Sequence, residues 1–178
     1  FSSINFSLTN AFFESMSGIT TTGSTIISNL EDMPKGILFW RAILQWLGGI
    51  GVIIMAITLM PIMNVGGMQL FKISNNSSSE KILPKSTEIA IRLIYIYTGL
   101  TVLCAASYKI LGMNIFDSLT HSMTTIATGG FSTQNNSFAS FNSMSLEYIA
   151  IIFMVLTSLP ILIYLEAFKD GFKRIISD

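Results

Sequence analysis

The sequence predicts an all-α integral membrane protein assembled from repeated units, each a helix, a re-entrant loop and a second helix. Three observations lead to that fold class. First, the chain is 51% hydrophobic and only 11% charged, with a mean hydropathy of +0.62. A soluble domain averages about a quarter charged residues, so lipid is the expected solvent. Second, residues 37–63, 89–111 and 146–168 are apolar runs long enough to cross a hydrocarbon core roughly 30 Å thick. Third, two hydroxyl- and glycine-rich stretches each follow an apolar segment too short to cross: Ile19-Thr20-Thr21-Thr22-Gly23-Ser24-Thr25 and Ala127-Thr128-Gly129-Gly130-Phe131-Ser132-Thr133. Sliding the chain on itself by 107 positions aligns the two without a gap. Gly23 then falls on Gly130, Thr21 on Thr128, Ser15-Met16-Ser17 on Ser122-Met123-Thr124, and residues 37–61 on 144–168.

The first short segment begins after a polar lead-in, with Asn10 or Thr9 as its expected N-cap and Ala11, Phe12, Phe13, Met16 and Ile19 as its apolar positions. At about 1.5 Å per residue it reaches only roughly 15 Å, so it either lies on the surface or re-enters. A polar loop over residues 28–36 leads to the first span, 37–63. Arg41 is the one charge in that span, and Trp40 and Trp46 lie near the same end, as interfacial residues do. Residues 64–88 read as a loop, with Gly66-Gly67, a run of Asn and Ser, and Lys72, Lys81 and Lys85. The second span, 89–111, carries Arg92 at its start and Cys104 in its middle. Residues 114–127 form the second short segment, 133–145 a polar loop, and 146–168 the third span, which Pro160 is expected to kink.

Charge sets orientation and excludes some functions. With three spans, Lys72, Lys81, Lys85, Arg92, Lys169, Lys173 and Arg174 share one side, and Lys35, Arg41 and Lys109 the other. The lysine-rich side is expected to be cytoplasmic, so both Thr/Gly stretches open outward. Ten cationic and ten anionic side chains give a formal net charge of +0, which argues against nucleic-acid binding. One cysteine cannot form an internal disulfide. The chain starts at Phe1 without a signal-peptide pattern, so it is expected to be a piece of something longer.

Irregular backbone at membrane depth is tolerated where it is buried in protein or lines a water-filled cavity. Two such stretches, each behind a short helix, point to a pore. The helix C-terminus carries partial negative charge that favours a cation, and the residues after it can aim backbone carbonyls at a dehydrated ion, as in potassium-selective filters. Glycine supplies backbone angles that side chains forbid, and threonine hydroxyls add oxygen ligands. Neither stretch contains a charged side chain. Oxygen donors of this kind suit a hard monovalent cation.

Ala11-Phe12-Phe13-Glu14-Ser15, Thr20-Thr21-Thr22-Gly23, Leu44-Gln45-Trp46-Leu47-Gly48-Gly49-Ile50-Gly51, Val65-Gly66-Gly67-Met68-Gln69-Leu70 and Ile126-Ala127-Thr128-Gly129-Gly130-Phe131-Ser132-Thr133 occur in this order. Together they resemble the Trk/Ktr/HKT potassium-transporter superfamily, nearest its bacterial TrkH membrane subunits. The resemblance implies a potassium-channel-like fold in which four linked repeats surround one pore. It also implies potassium uptake across the bacterial inner membrane, with potassium as transported ligand and no cofactor in this chain. Residues 1–63 would then hold the pore helix, filter segment and second helix of the first repeat, 64–88 a cytoplasmic loop, and 89–178 the complete second repeat. Thr21, Thr22, Gly23 and Ser24 would form one quarter of the filter, and Thr128, Gly129, Gly130 and Phe131 another. The self-match favours Gly130 over Gly129 as the counterpart of Gly23. The implied partners are membrane lipid, the third and fourth repeats, a second copy of the subunit and a cytosolic nucleotide-binding ring, with the lysines of residues 64–88 as its expected contact. The third span departs from the family pattern at Leu156-Thr157-Ser158-Leu159-Pro160, where a stretch bearing glycine and asparagine is expected.

Other residues admit plainer readings. Gly48-Gly49-x-Gly51 is expected to let helices approach closely, with a pore helix as neighbour. His121, the only histidine, lacks partners at metal-ligand spacing and is expected to be a packed or capping polar group. In the self-match it falls opposite Glu14, and both would face polar surroundings behind the filter. Cys104 reads as a packing residue, and Arg41 and Arg92 as interfacial anchors. Ser15, Ser17, Ser122 and Thr124 lack the base and orienting group that a hydroxyl nucleophile needs, so they are expected to satisfy a short buried helix. Three alternatives stay open: a secondary transporter with substrate-binding re-entrant loops, a non-conducting scaffold, and an intramembrane hydrolase. Inverted repeats would favour the first and labelling by a serine probe the last. Loss of both glycines without effect would favour the scaffold or the hydrolase.

Overall fold

The computed structural model describes residues 7–59 and 82–158. Five α-helices make up most of them: α1 (Leu8–Ile19), α2 (Lys35–Leu59), α3 (Ile82–Ile110), α4 (Ile115–Ile126) and α5 (Met144–Ser158). Short 3-10 turns lie at Leu30–Asp32 and Ser137–Phe141, and no strand occurs among the described residues.

The two short helices are built alike. Each has 12 residues, roughly 18 Å at about 1.5 Å per residue. The Ser7 hydroxyl caps α1 by accepting the Asn10 N–H at 3.2 Å, and the Asn114 side chain caps α4 by accepting the Asp117 N–H at 2.8 Å. Both caps satisfy a donor that the first turn leaves unpaired. Asn10 and Thr9, expected from sequence as the cap of α1, lie inside the helix. Ser7 takes the role because it has the extended backbone a cap requires (φ −64°, ψ 154°). The bounds of α4 repeat those of α1 at the 107-residue offset.

The long helices overlap the apolar runs read from the sequence, with one large difference in bounds. α2 has 25 residues and α3 has 29, each more than the ~20 needed to cross a bilayer. Within α3, Ala90–Ile110 is long and apolar enough to cross a membrane by length and composition. α3 starts at Ile82, inside the stretch read as a loop. The glycine pair, the Asn and Ser run and the lysines suggested that loop; Pro84 does not bar the helix, because a first turn has no intrahelical partner for its N–H groups and accommodates proline. Gly112 (φ 102°) ends α3: its N–H reaches the Lys109 carbonyl, and the Met113 N–H reaches that of Tyr108. This paired closure sends the chain directly into α4. Pro61, Gly66, Gly67, Lys72, Lys81, Pro160, Lys169, Lys173 and Arg174 lie outside the described residues.

α4 sits at the centre, packed by α2, α3 and α5. Tyr97, Cys104, Tyr108, Ile126, Ala150 and Phe153 belong to the resulting core, and Cys104 is the packing residue expected. The Tyr108 hydroxyl bonds Thr125 Oγ1 at 2.9 Å, tying α3 to α4. Trp40 is half exposed, as an interfacial residue would be. Trp46 instead packs against α3: its indole N–H donates to Thr101 Oγ1 at 3.0 Å, and Tyr97 donates to its carbonyl at 3.1 Å. Large apolar side chains face outward from α2, α3 and α5, among them Leu47, Val52, Val102, Leu103, Ile151 and Val155. A lipid-facing surface has this character.

The glycines of α2 govern how closely the short helices approach. A side chain at Gly48 would overlap the Ile19 carbonyl at the end of α1. One at Gly49 would lie 3.2 Å from Ala127 Cα, just past α4, and 2.7 Å from the Tyr97 hydroxyl. Gly51 faces open space. Two of the three glycines therefore do what the sequence suggested, and both seat the end of a short helix.

Candidate functional site

α1 and α4 end in the same turn. After α1, the Thr21 N–H bonds the Gly18 carbonyl at 3.0 Å and the Thr22 N–H bonds that of Ser17 at 3.0 Å. After α4, Thr128 bonds Thr125 at 3.0 Å and Gly129 bonds Thr124 at 2.9 Å. Such a closure needs a left-handed residue, usually glycine. Here threonine takes the position both times, at φ 56° in Thr21 and 50° in Thr128. A β-branched residue there is a genuine outlier, costing about 1–3 kcal/mol. Two residues later the backbone turns left-handed again, at Gly23 (φ 77°) and Gly130 (φ 81°). The two backbones are thus in phase, and Gly130 is the counterpart of Gly23.

Behind each turn a side chain on the short helix holds a hydroxyl. Glu14 accepts from the Thr25 hydroxyl at 2.8 Å and the Ile26 N–H at 3.2 Å. His121, 107 positions on, places Nε2 3.0 Å from Ser132 Oγ and Nδ1 2.9 Å from the Asp117 carbonyl. A carbonyl only accepts, so Nδ1 carries the proton and Nε2 of the neutral ring accepts from Ser132. Thr25 and Ser132 each accept the N–H two residues ahead, from Ile27 at 3.1 Å and Gln134 at 3.0 Å. The expectation that Glu14 and His121 occupy equivalent polar sites holds. The remaining hydroxyls satisfy backbone, as expected: Ser15 donates to Ala11, Ser17 to Ser24, Ser122 to Leu119 and Thr124 to His121.

Arg41 corrects its sequence reading. It is 3% exposed, and its Nε meets Glu14 Oε1 at 2.8 Å. Its Nη1 donates to the Ser132 carbonyl at 3.3 Å, and its guanidinium lies 4.1 Å from the Phe131 ring centroid. A carboxylate buried on α1 requires a charge partner, and that requirement overrides snorkelling. Arg92 remains exposed.

Gln45, fully buried on α2, was not singled out by the sequence. Its Nε2 donates to the Gly129 carbonyl at 2.8 Å and its Oε1 accepts the Phe131 N–H at 3.1 Å. A side chain at Gly129 would overlap this amide, and one at Gly23 would overlap the Gly129 carbonyl. The two turns therefore meet backbone to backbone beside Gln45. Of the eight residues predicted for the site, Thr22, Ser24, Thr128 and Gly130 are exposed, Thr21 and Gly23 half-buried, and Gly129 and Phe131 buried. Thr21 and Thr128 also border a mostly apolar cavity of about 270 Å³, whose walls include Gly49, Leu93, Tyr97 and Thr157.

This doubled turn sits among motifs that match known proteins throughout. The sequence model of the cation transport protein family TrkH matches residues 1–178. The chain belongs to that family. The Trk system potassium uptake protein TrkH of Vibrio parahaemolyticus is 42% identical over 169 residues, 94% of this chain and 35% of that protein. Its Escherichia coli K12 namesake is 44% identical over 155 residues, covering 86% and 32%, and the Trk system potassium uptake protein TrkG of the same strain is 32% identical over 180 residues, covering 99% and 37%. The crystal structure of the potassium transporter TrkH from V. parahaemolyticus superposes with a TM-score of 0.80 at 40% identity, over 94% of this chain and 33% of that one. The chain thus spans about a third of the length of these TrkH relatives, and its helical fold matches the corresponding part of the solved TrkH structure.

Proposed function

We propose that this chain carries the first two of four pore-lining repeats in a potassium uptake protein of the bacterial inner membrane. Residues 1–63 supply the first pore helix, filter segment and second helix; 64–88 supply a cytoplasmic connection, and 89–178 the second repeat. Thr21, Thr22, Gly23 and Ser24 wall one quarter of the filter, and Thr128, Gly129, Gly130 and Phe131 the next. Backbone oxygens of these segments replace the water around a potassium ion, while the C-termini of α1 and α4 bias the site toward cations. The pore loops open outward, and the cavity beside Thr21 and Thr128 continues the path inward. Two further repeats close the pore. A second copy of the subunit, surrounding lipid and a cytosolic nucleotide-binding ring complete the assembly.

One observation carries this reading: two turns 107 residues apart share left-handed threonine and left-handed glycine at matched positions and touch through their backbones. The relatives named for potassium uptake support the choice of ion. The test is Gly130→Ser in the full-length protein, assayed by potassium and sodium flux in proteoliposomes. Gly130 has open space around it, so the fold admits the side chain while the positive φ does not favour it. Reduced preference for potassium over sodium is expected, and unchanged selectivity would overturn the filter assignment.

A further inference from the structure

We propose that Gln45 is a positioning residue for the second filter segment, which the first repeat holds in place by a two-point amide clamp. The proposal rests on the filter reading above and adds to it which side chain sets the geometry. The clamp has the form of a strand pairing. One carboxamide offers its N–H to the Gly129 carbonyl and its oxygen to the Phe131 N–H, so both polar atoms of a fully buried side chain are used. That leaves Gly130, between the two anchor points, unclamped and exposed. Two distances, 2.8 and 3.1 Å, thus fix the plane of the segment without touching the residue whose side of the turn is open.

The clamp also accounts for the double glycine. Gly130 is required by its positive φ. Gly129 is required because the Gln45 amide occupies the place of its side chain. The first segment has Thr22 at the position matching Gly129, and its exposed hydroxyl pairs with that of Thr20 at 2.8 Å. The position matching Gln45 in the second repeat is Ile152, half exposed and apolar. It cannot form this pairing with a following segment. The clamp therefore belongs to the seam between the first and second repeats rather than to every seam. Arg41, one helical turn earlier on α2, adds a third tie at the Ser132 carbonyl. The anchored stretch thus runs from Gly129 to Ser132.

The experiment compares Gln45→Leu and Gln45→Met with Ile152→Met in the full-length protein, measuring potassium and sodium flux in proteoliposomes and thermal stability in micelles. Both Gln45 variants should raise the KM for potassium and lower the potassium-to-sodium preference roughly tenfold, the effect of about 1.4 kcal/mol. The maximal rate should change less than the KM, and Ile152→Met should match the unaltered protein. Unchanged KM and selectivity in a folded Gln45 variant would overturn the proposal. So would loss of the folded protein in both variants, since the residue would then hold the fold rather than the filter. A selectivity change in Gly130→Ser without one in Gln45→Met defeats this inference alone. No change in either defeats the filter reading itself.

Discussion

The buried pair of Glu14 and Arg41 gives the most quantitative expectation. Its side chains are 9% and 4% exposed and meet at 2.8 Å, so solvent screens the interaction little. Removing one partner of such a pair costs about 3–5 kcal/mol, because the other charge is left in apolar surroundings. The structure ranks the two single variants. In Glu14→Gln the amide oxygen still faces Arg41, which also keeps the Ser132 carbonyl and the Phe131 ring; the loss should fall near ~3 kcal/mol. In Arg41→Met the carboxylate keeps only the Thr25 hydroxyl and the Ile26 N–H, and the loss should approach ~5 kcal/mol. The double variant buries no charge and should be more stable than Arg41→Met alone. Reversible unfolding of the full-length protein in micelles, arranged as a double-mutant cycle, measures the coupling. Additivity within about 0.5 kcal/mol would show that the two charges do not depend on each other and would refute the reasoning.

Two further expectations concern backbone. Gly48→Ala drives a methyl group into the Ile19 carbonyl and should cost about 1–3 kcal/mol by overpacking. Gly51→Ala, in open space on the same helix, should stabilise by up to ~1 kcal/mol through helix propensity. Equal melting points for the two variants would contradict the packing assigned to Gly48. Thr128→Gly relieves the left-handed cost and adds chain entropy, for a net gain of about 1 kcal/mol. A lower melting temperature would show that the threonine is not strained.

Much of the fold could be read from the sequence because it rests on local patterns. Half-length apolar segments before Thr20 and Ala127 became α1 and α4, and the 107-residue self-match reappeared in caps, turn hydrogen bonds and φ angles. The helical start at Ile82 was obscured because Lys81 and Lys85 follow a run of Asn and Ser and read as part of the same polar loop. Behind the turns, legibility fails for a different reason. Glu14 and Arg41 are 27 positions apart, and Gln45 and Gly129 are 84 apart. No periodicity links residues that meet only through tertiary packing. A usable signal was nevertheless present. Arg41 and Gln45 are four apart on one face of a helix, as the only charged and the only amide side chains of an otherwise apolar span. A lone carboxylate on the adjacent short helix needs such a face.

The clamp from α2 to the Gly129 carbonyl also bears on how such proteins can be recombined. A chimera that exchanges residues 89–178 between relatives would cut between Gln45 and the backbone it grips. The smallest module that carries its own support runs from α1, which holds Glu14 against Arg41, through the second turn, so it overlaps the repeat boundary instead of coinciding with it. Grafts built on the repeat as a unit should therefore tolerate divergence on the lipid face but not at Gln45 or Arg41. An exchange that carries residues 8–59 along with the second turn keeps Glu14 with Arg41 and Gln45 with Gly129, and should transplant without re-optimisation.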